Sequence, residues 1–222
     1  MKLFFILSVF LILPFTVIGE EVRERKNKDS QMPVDEFSSL IENRMKEIRD
    51  ISFKFEQNTY MGGSTQTVSA EVVFSKPDKI RIDYSTPREQ SIIYDGKHLY
   101  TYVPQINQAT KQSKKGFDGI LGKSASVIFS TDSVSKMKEE FKLAVYTEEN
   151  NIVLSAVPIN QGNYYKQKII FSKDRMLPVE AIVYAENLTS VTEFYDYDKN
   201  KDIDEEIYKL AEKEEIRIIQ ID

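Results

Sequence analysis

Alternation of apolar and polar positions dominates the chain from residue 51 onwards. Ile51, Phe53 and Phe55 alternate with Ser52, Lys54 and Glu56, a period of two that predicts a strand with one buried face. Val68, Ala70, Val72 and Phe74 repeat the pattern, and so do Ile80, Ile82 and Tyr84 against Arg81 and Asp83. The Gly-Gly-Ser-Thr stretch at 62–65 predicts the turn between the first two runs, and Pro87 ends the third. In "SIIYDGKHLYTYV" (91–103) the Asp95-Gly96 pair predicts a two-residue hairpin turn. That turn sets Ile92 opposite Leu99 on one face and points Ile93 and His98 the other way. Further strand patterns follow in "EFKLAVY", "IVLSAV", "KQKIIFS", "PVEAIVYA" and "SVTEFYDYD", with connections too short for parallel crossovers. The sum is an antiparallel meander of about nine strands, and a single sheet of that size must curl.

Two segments break the period of two. In "PVDEFSSLIENRMKEIRD" (33–50), Phe37, Leu40, Ile41, Met45 and Ile48 make one apolar helical stripe, with Pro33 and Asp35 suited to its start. In "KGFDGILGKSASVIFS" (115–130), Phe117, Ile120, Leu121, Ser124 and Ile128 also fall at helical spacing. Gly116, Gly119 and Gly122 sit among them, and interior glycine costs about 1 kcal/mol each, so the segment predicts short, loosely held helix. The tail "DIDEEIYKLAEKEEIRIIQID" predicts a short helix ending in a strand. Runs such as "VVF", "SIIY" and "KIIF" place apolar residues on both faces of the sheet, so both faces need covering. The helical stripes fit the concave face, where a helical lid leaves an apolar space.

Composition narrows the chemistry. The 222 residues suffice for one sizeable domain. With 29% charged residues and a net charge of −5, nucleic acid is not the expected partner. The chain has no cysteine and one histidine, His98, which removes a disulfide, a Cys/His zinc site and a cysteine nucleophile. Nucleotide-binding glycine loops, a GxSxG elbow and an HExxH helix are absent from the sequence. His98, just after a hairpin turn, is expected to face solvent. The expectation is therefore a non-enzymatic protein without a metal or cofactor. At the N-terminus, Lys2 precedes "LFFILSVFLILPFTVIG", and Val17 and Gly19 fit the −3 and −1 positions of a cleavage site. Residues 1–19 thus read as an export signal, 20–32 as a charged mobile leader, and 33–222 as the folded domain.

The sequence also resembles a known family. "FKFEQ", followed by "FSKPDKIRIDYSTPREQSIIYDGKHLYTYVPQINQAT", resembles LolA, the periplasmic carriers of outer-membrane lipoproteins. Phe53, Phe55 and Gln57 fit the family's aromatic-x-Phe-x-Gln element. Pro77, Arg81, Tyr84 and Pro87 fit its aromatic-rich strand. Asp95, Gly96, Lys97, Leu99, Tyr102, Pro104 and Gln108 fit its hairpin and the run after it. The resemblance implies an unclosed β-barrel, a single strongly curved antiparallel sheet whose concave hydrophobic cavity is lidded by helices and takes acyl chains. On that reading Ile80, Ile82, Tyr84, Ile92 and Leu99 line the cavity, and Phe117, Ile120, Leu121 and Ile128 belong to a lid helix. Where the family often has an arginine tying the strand start to the lid, this chain has Lys76, assigned to lid control. The implied task is transport of lipoproteins through the periplasm by a monomeric chaperone. The implied partners are an inner-membrane ABC-type releasing complex and an outer-membrane acceptor. A lipid- or lipoprotein-binding sensor on the same fold is the alternative.

Overall fold

The computed structural model describes residues 31–113, 133–160, 166–210 and 216–221. The chain opens with β1 (Gln31–Met32) and α1 (Val34–Glu47). Strands β2 (Asp50–Met61), β3 (Ser64–Ser75), β4 (Lys79–Thr86), β5 (Gln90–Tyr94), β6 (Leu99–Val103) and β7 (Gln108–Gln112) follow. After α2 (Ser133–Met137) come β8 (Phe141–Glu148), β9 (Asn151–Pro158), β10 (Lys166–Ser172), β11 (Pro178–Ala185), β12 (Leu188–Lys199) and β13 (Arg217–Gln220). All thirteen strands form one sheet in the order β1-β8-β9-β10-β11-β12-β2-β3-β4-β5-β6-β7-β13. It is a curved, unclosed sheet bounded by two short edge strands, β1 and β13, which limit the edge open to further pairing.

The alternation read from the sequence is the alternation observed. Phe53, Val72, Phe74, Ile80, Ile82, Ile92 and Leu99 share one core cluster with Phe37, Ile41, Met45 and Ile48 of the α1 segment. This face is the concave one, and α1 lies over it. The helical stripe is narrower than expected. Leu40 is 39% exposed, while Ser38, one residue after Phe37, is buried. Positions 37, 41, 45 and 48 are spaced by four, four and three, so they stay on one line. Leu40 falls to the side of it.

Three details differ from expectation. The hairpin turn is centred on Gly96-Lys97, not on Asp95-Gly96. The Asp95 amide donates to the His98 carbonyl at 3.3 Å, and the Asp95 carboxylate accepts from the Lys97 and His98 amides, both at 2.7 Å. Gly96 takes the left-handed conformation (φ 92°) that this turn needs. Tyr94 therefore pairs with Leu99, and Ile92 pairs with Thr101. The slip is two residues in register, an even number, so Ile92 and Leu99 still share a face. Second, β13 pairs with β7 in parallel, so the sheet is antiparallel only up to that last strand. Third, Gln31 and Met32, the last residues of the expected leader, pair with Tyr146 and Val145.

The convex face also has its cover. A short 3₁₀ turn (Glu205–Tyr208) lies on it. The Tyr208 hydroxyl is 2.7 Å from the Ser75 hydroxyl, and Arg81 donates to the Ile207 carbonyl at 2.9 Å. Tyr208 is 1% exposed. Ile93, which points away from Ile92 to the convex side, is buried too.

Candidate functional site

Pairing aligns the inward side chains of the sheet into rows that run across the strands. The first row, where α1 leads into β2, holds Ile51, Phe74, Ile80, Tyr94 and Leu99. The second holds Phe53, Val72, Ile82, Ile92 and Thr101. The third runs from Phe194 through Phe55, Ala70 and Tyr84 to Gln90. Thr192, Gln57 and Val68 make the fourth, and Ser190, Thr59 and Gln66 the fifth. The concave surface thus grades from mainly apolar beside α1, where Tyr94 and Thr101 carry the hydroxyls, to mostly hydroxyl- and amide-bearing at its far end. Across β2 to β6 it carries no charged side chain.

All five cavity residues expected from the sequence lie on these rows. Ile80, Ile82, Ile92 and Leu99 are buried in the core, and Tyr84 packs against it from the third row. The Tyr84 ring meets Phe55 edge-on, with centroids 6.3 Å apart. Burial pushes its phenol far above the usual range, so Tyr84 is neutral at any physiological pH. Its hydroxyl is buried without a hydrogen-bond partner, and so is the amide nitrogen of Gln90, its partner across the strands. The polar rows beyond are internally bonded. Gln57 donates to the Ser190 hydroxyl at 2.6 Å, and the Thr59 hydroxyl lies 3.1 Å from the same oxygen. Thr59 and Ser190 were not singled out from the sequence, and Gln57 entered only through the family's aromatic-x-Phe-x-Gln element, although the signal was there: Gln57 and Thr59 continue the parity of Phe53 and Phe55.

Lys76 reaches the helix. Its Nζ donates to the backbone carbonyl of Met45, in the last turn of α1, which also accepts from the capping Ile48 amide at 3.3 Å. Its own amide donates to the Arg49 carbonyl at 2.9 Å. Partial burial lowers the Lys76 pKa, because the charged ammonium loses water there. The C-terminal end of α1 has other polar ties. Asn200 donates to the Glu47 carbonyl at 2.9 Å, and Arg44 donates to the Arg175 carbonyl at 2.8 Å. At the other end, Ser38 approaches Ser135 of α2, with hydroxyl oxygens 3.4 Å apart, and Lys138 pairs with Asp35. Phe117, Ile120, Leu121 and Ile128 lie outside the described residues.

Other surfaces offer less. An open hollow of about 430 Å³ lies along Tyr195, Lys54, Glu71, Asp83 and Ser91, a row that alternates away from the core, and is also bordered by Ala70, Tyr84 and Gln90 of the third row. It is shallow and mixed in charge, and we place the site on the concave face instead. His98 is half-exposed, 3.8 Å from the Asp95 carboxylate and edge-on to Tyr100. Among the described residues, no three His, Cys, Asp or Glu side chains gather as metal ligands, and no helix is long and apolar enough to cross a membrane.

A single curved, unclosed sheet with a helix over one face is the fold that the sequence resemblance implied, and the family comparison agrees with it. The family described as outer membrane lipoprotein carrier protein LolA matches residues 46–211. The chain belongs to the LolA family. An outer-membrane lipoprotein carrier protein of Cupriavidus pinatubonensis is 38% identical over 73 residues, which cover 32% of this chain and 33% of that protein. One from Methylibium petroleiphilum is 26% identical over 123 residues, 54% of this chain and 58% of that protein. The matched stretch thus spans about a third of the first LolA relative and less than two thirds of the second. Among solved structures, an uncharacterized conserved protein from Thermus thermophilus shares the fold. Its TM-score is 0.55 at 8% identity, over 83% of this chain and 99% of that one.

Proposed function

We propose that the protein is a periplasmic carrier. It takes up the acyl chains of lipoproteins released from the inner membrane and delivers them to the outer membrane, without catalysis. The observation that carries this reading is the pair of apolar rows from Ile51 to Thr101, overlaid by a helix whose C-terminal end is tied by side chain-to-backbone hydrogen bonds. Lifting the helix costs little in hydrogen bonds, about 1 kcal/mol net each, and the larger cost of uncovering Phe37, Ile41, Met45 and Ile48 is offset only when acyl chains cover the same sheet face. Acyl chains would take the place of α1 against Ile80, Ile82, Ile92 and Leu99, with Tyr84 at the border of the apolar region. Burying each CH₂ stabilises the complex by about 0.8 kcal/mol, so complete burial of several long chains would leave them unreleasable. A compartment whose far rows are polar covers less of each chain and keeps transfer reversible.

On this reading, residues 1–19 direct export and are removed, 20–32 form a leader whose last two residues join the sheet as β1, and 33–222 form the rest of the carrier domain. The partners are lipid-modified lipoproteins, an ATP-driven inner-membrane complex that loads them, and an outer-membrane acceptor. The test is to purify the protein from cells and search by mass spectrometry for bound lipoprotein. The loaded protein is then mixed with outer-membrane vesicles. A carrier holds lipoprotein and gives it up to the vesicles. Retention without transfer means a sensor on the same fold, and a protein that never holds acylated cargo overturns the proposal.

A further inference from the structure

In the third row of the concave face, the Tyr84 hydroxyl and the Gln90 amide nitrogen are buried without a hydrogen bond. Their residues are paired across β4 and β5. On one side lie Ile82 and Ile92 of the apolar second row, and on the other is the polar end, where Gln57, Thr59 and Ser190 are already bonded to one another. A buried donor without a partner is costly, so two side by side at the border of an apolar region call for a ligand atom. Both can donate, and neither carries charge, because burial keeps the Tyr84 phenol protonated. No cation on this face of β2 to β6 is present to meet a carboxylate or phosphate. The acceptor that fits is a neutral carbonyl oxygen at the end of an apolar chain.

We propose that Tyr84 and Gln90 form a subsite for the ester or amide carbonyls that join acyl chains to their headgroup. The subsite rests on the carrier reading and deepens it. It sets how far the chains enter: the hydrocarbon occupies the first two rows, the carbonyls stop at the third, and the headgroup emerges past the polar rows. It also selects. Chains linked through neutral esters or amides offer a carbonyl oxygen that can accept from both donors, whereas an alkyl ether offers only a weaker acceptor.

The experiment compares two synthetic lipopeptides on the purified protein, one with ester-linked palmitoyl chains and one with hexadecyl chains in ether linkage. The ester form is expected to bind about tenfold tighter, the scale of two net hydrogen bonds partly offset by ordering. In the Tyr84→Phe/Gln90→Leu double variant the ester-to-ether ratio is expected to fall to about one. The unliganded double variant should melt at a higher temperature, because two unsatisfied polar atoms are gone. Equal affinities for ester and ether in the wild type overturn the subsite and leave the carrier reading standing. Binding of neither lipopeptide overturns both. A lowered melting temperature in a folded double variant means that the two atoms have partners in the free protein, which also overturns the subsite.

Discussion

Ile82 and Ile92 face each other across β4 and β5, 4% and 1% exposed, on a face without charge. A carboxylate placed there has no cation to pair with. Ile82→Glu is therefore expected to cost several kcal/mol of stability and to abolish loading, measured by urea denaturation and by lipoprotein retention. A variant with wild-type stability that still retains cargo would remove Ile82 from the compartment. Lys76 gives a different prediction, set by pH. Its pKa in the folded protein lies below the ordinary value of 10.5 because burial strips water from the charge. The folded state thus binds fewer protons than the unfolded chain between the lowered pKa and 10.5, and the contribution of Lys76 to stability rises with pH across that window. Below the window the cost of holding the charge is fully present. The stability of wild type relative to Lys76→Met, from denaturation at neutral pH and near pH 10, should increase on going alkaline. A flat difference would mean that the ammonium is as well solvated as in the unfolded chain.

At the scale of elements, α1 and its tether decide how the compartment opens. Lys76 meets a single carbonyl, that of Met45, at the end of a flexible stem. Arginine presents a planar fork of donors and can meet neighbouring carbonyls of the same helix end together. Lys76→Arg should hold α1 on the sheet more firmly and weaken retention of cargo by about 1 kcal/mol, roughly fivefold. Release to acceptor membranes, followed over time for both proteins, checks this. Equal release would mean that α1 is not held by this tie. The elements themselves were legible in the sequence to different degrees. The faces of β2 to β6 follow from parity alone, and so does the buried line of α1. The register of the 95–98 turn was not legible, because Asp95-Gly96 suits a two-residue turn as a dipeptide. The Asp95 side chain instead caps the Lys97 and His98 amides and moves the turn by one residue. Gln90 and Ser190 were not legible as site residues, because a polar residue at a strand's end reads as surface until pairing shows which row it joins.

At the scale of the molecule, the sequence carried the meander but not its closure. Each hairpin is local, whereas β12 pairs with β2 across more than a hundred residues, and no alternation pattern says which distant strands meet. That junction brings the α2–β8 side of the sheet round to α1, and the two helices touch at Ser38 and Ser135. The contact offers a test of opening for the whole molecule. The hydroxyl oxygens lie 3.4 Å apart. Sulfur sits farther along each side chain, so a bond of about 2.05 Å can form with small adjustment. The chain has no cysteine, so Ser38→Cys/Ser135→Cys introduces the only two thiols. Oxidised, the pair pins α1 to α2. Val134 and Met137 of α2 are buried in the same core, so α1 is then anchored at both ends, by the disulfide and by the ties at Met45 and Glu47. If acyl chains enter by lifting α1 from the apolar rows, the oxidised protein should fail to load, and reduction should restore loading to the level of the reduced control. Lipoprotein bound per protein, measured with and without reductant, reads the outcome. Equal loading in both states would show that cargo enters without parting the two helices.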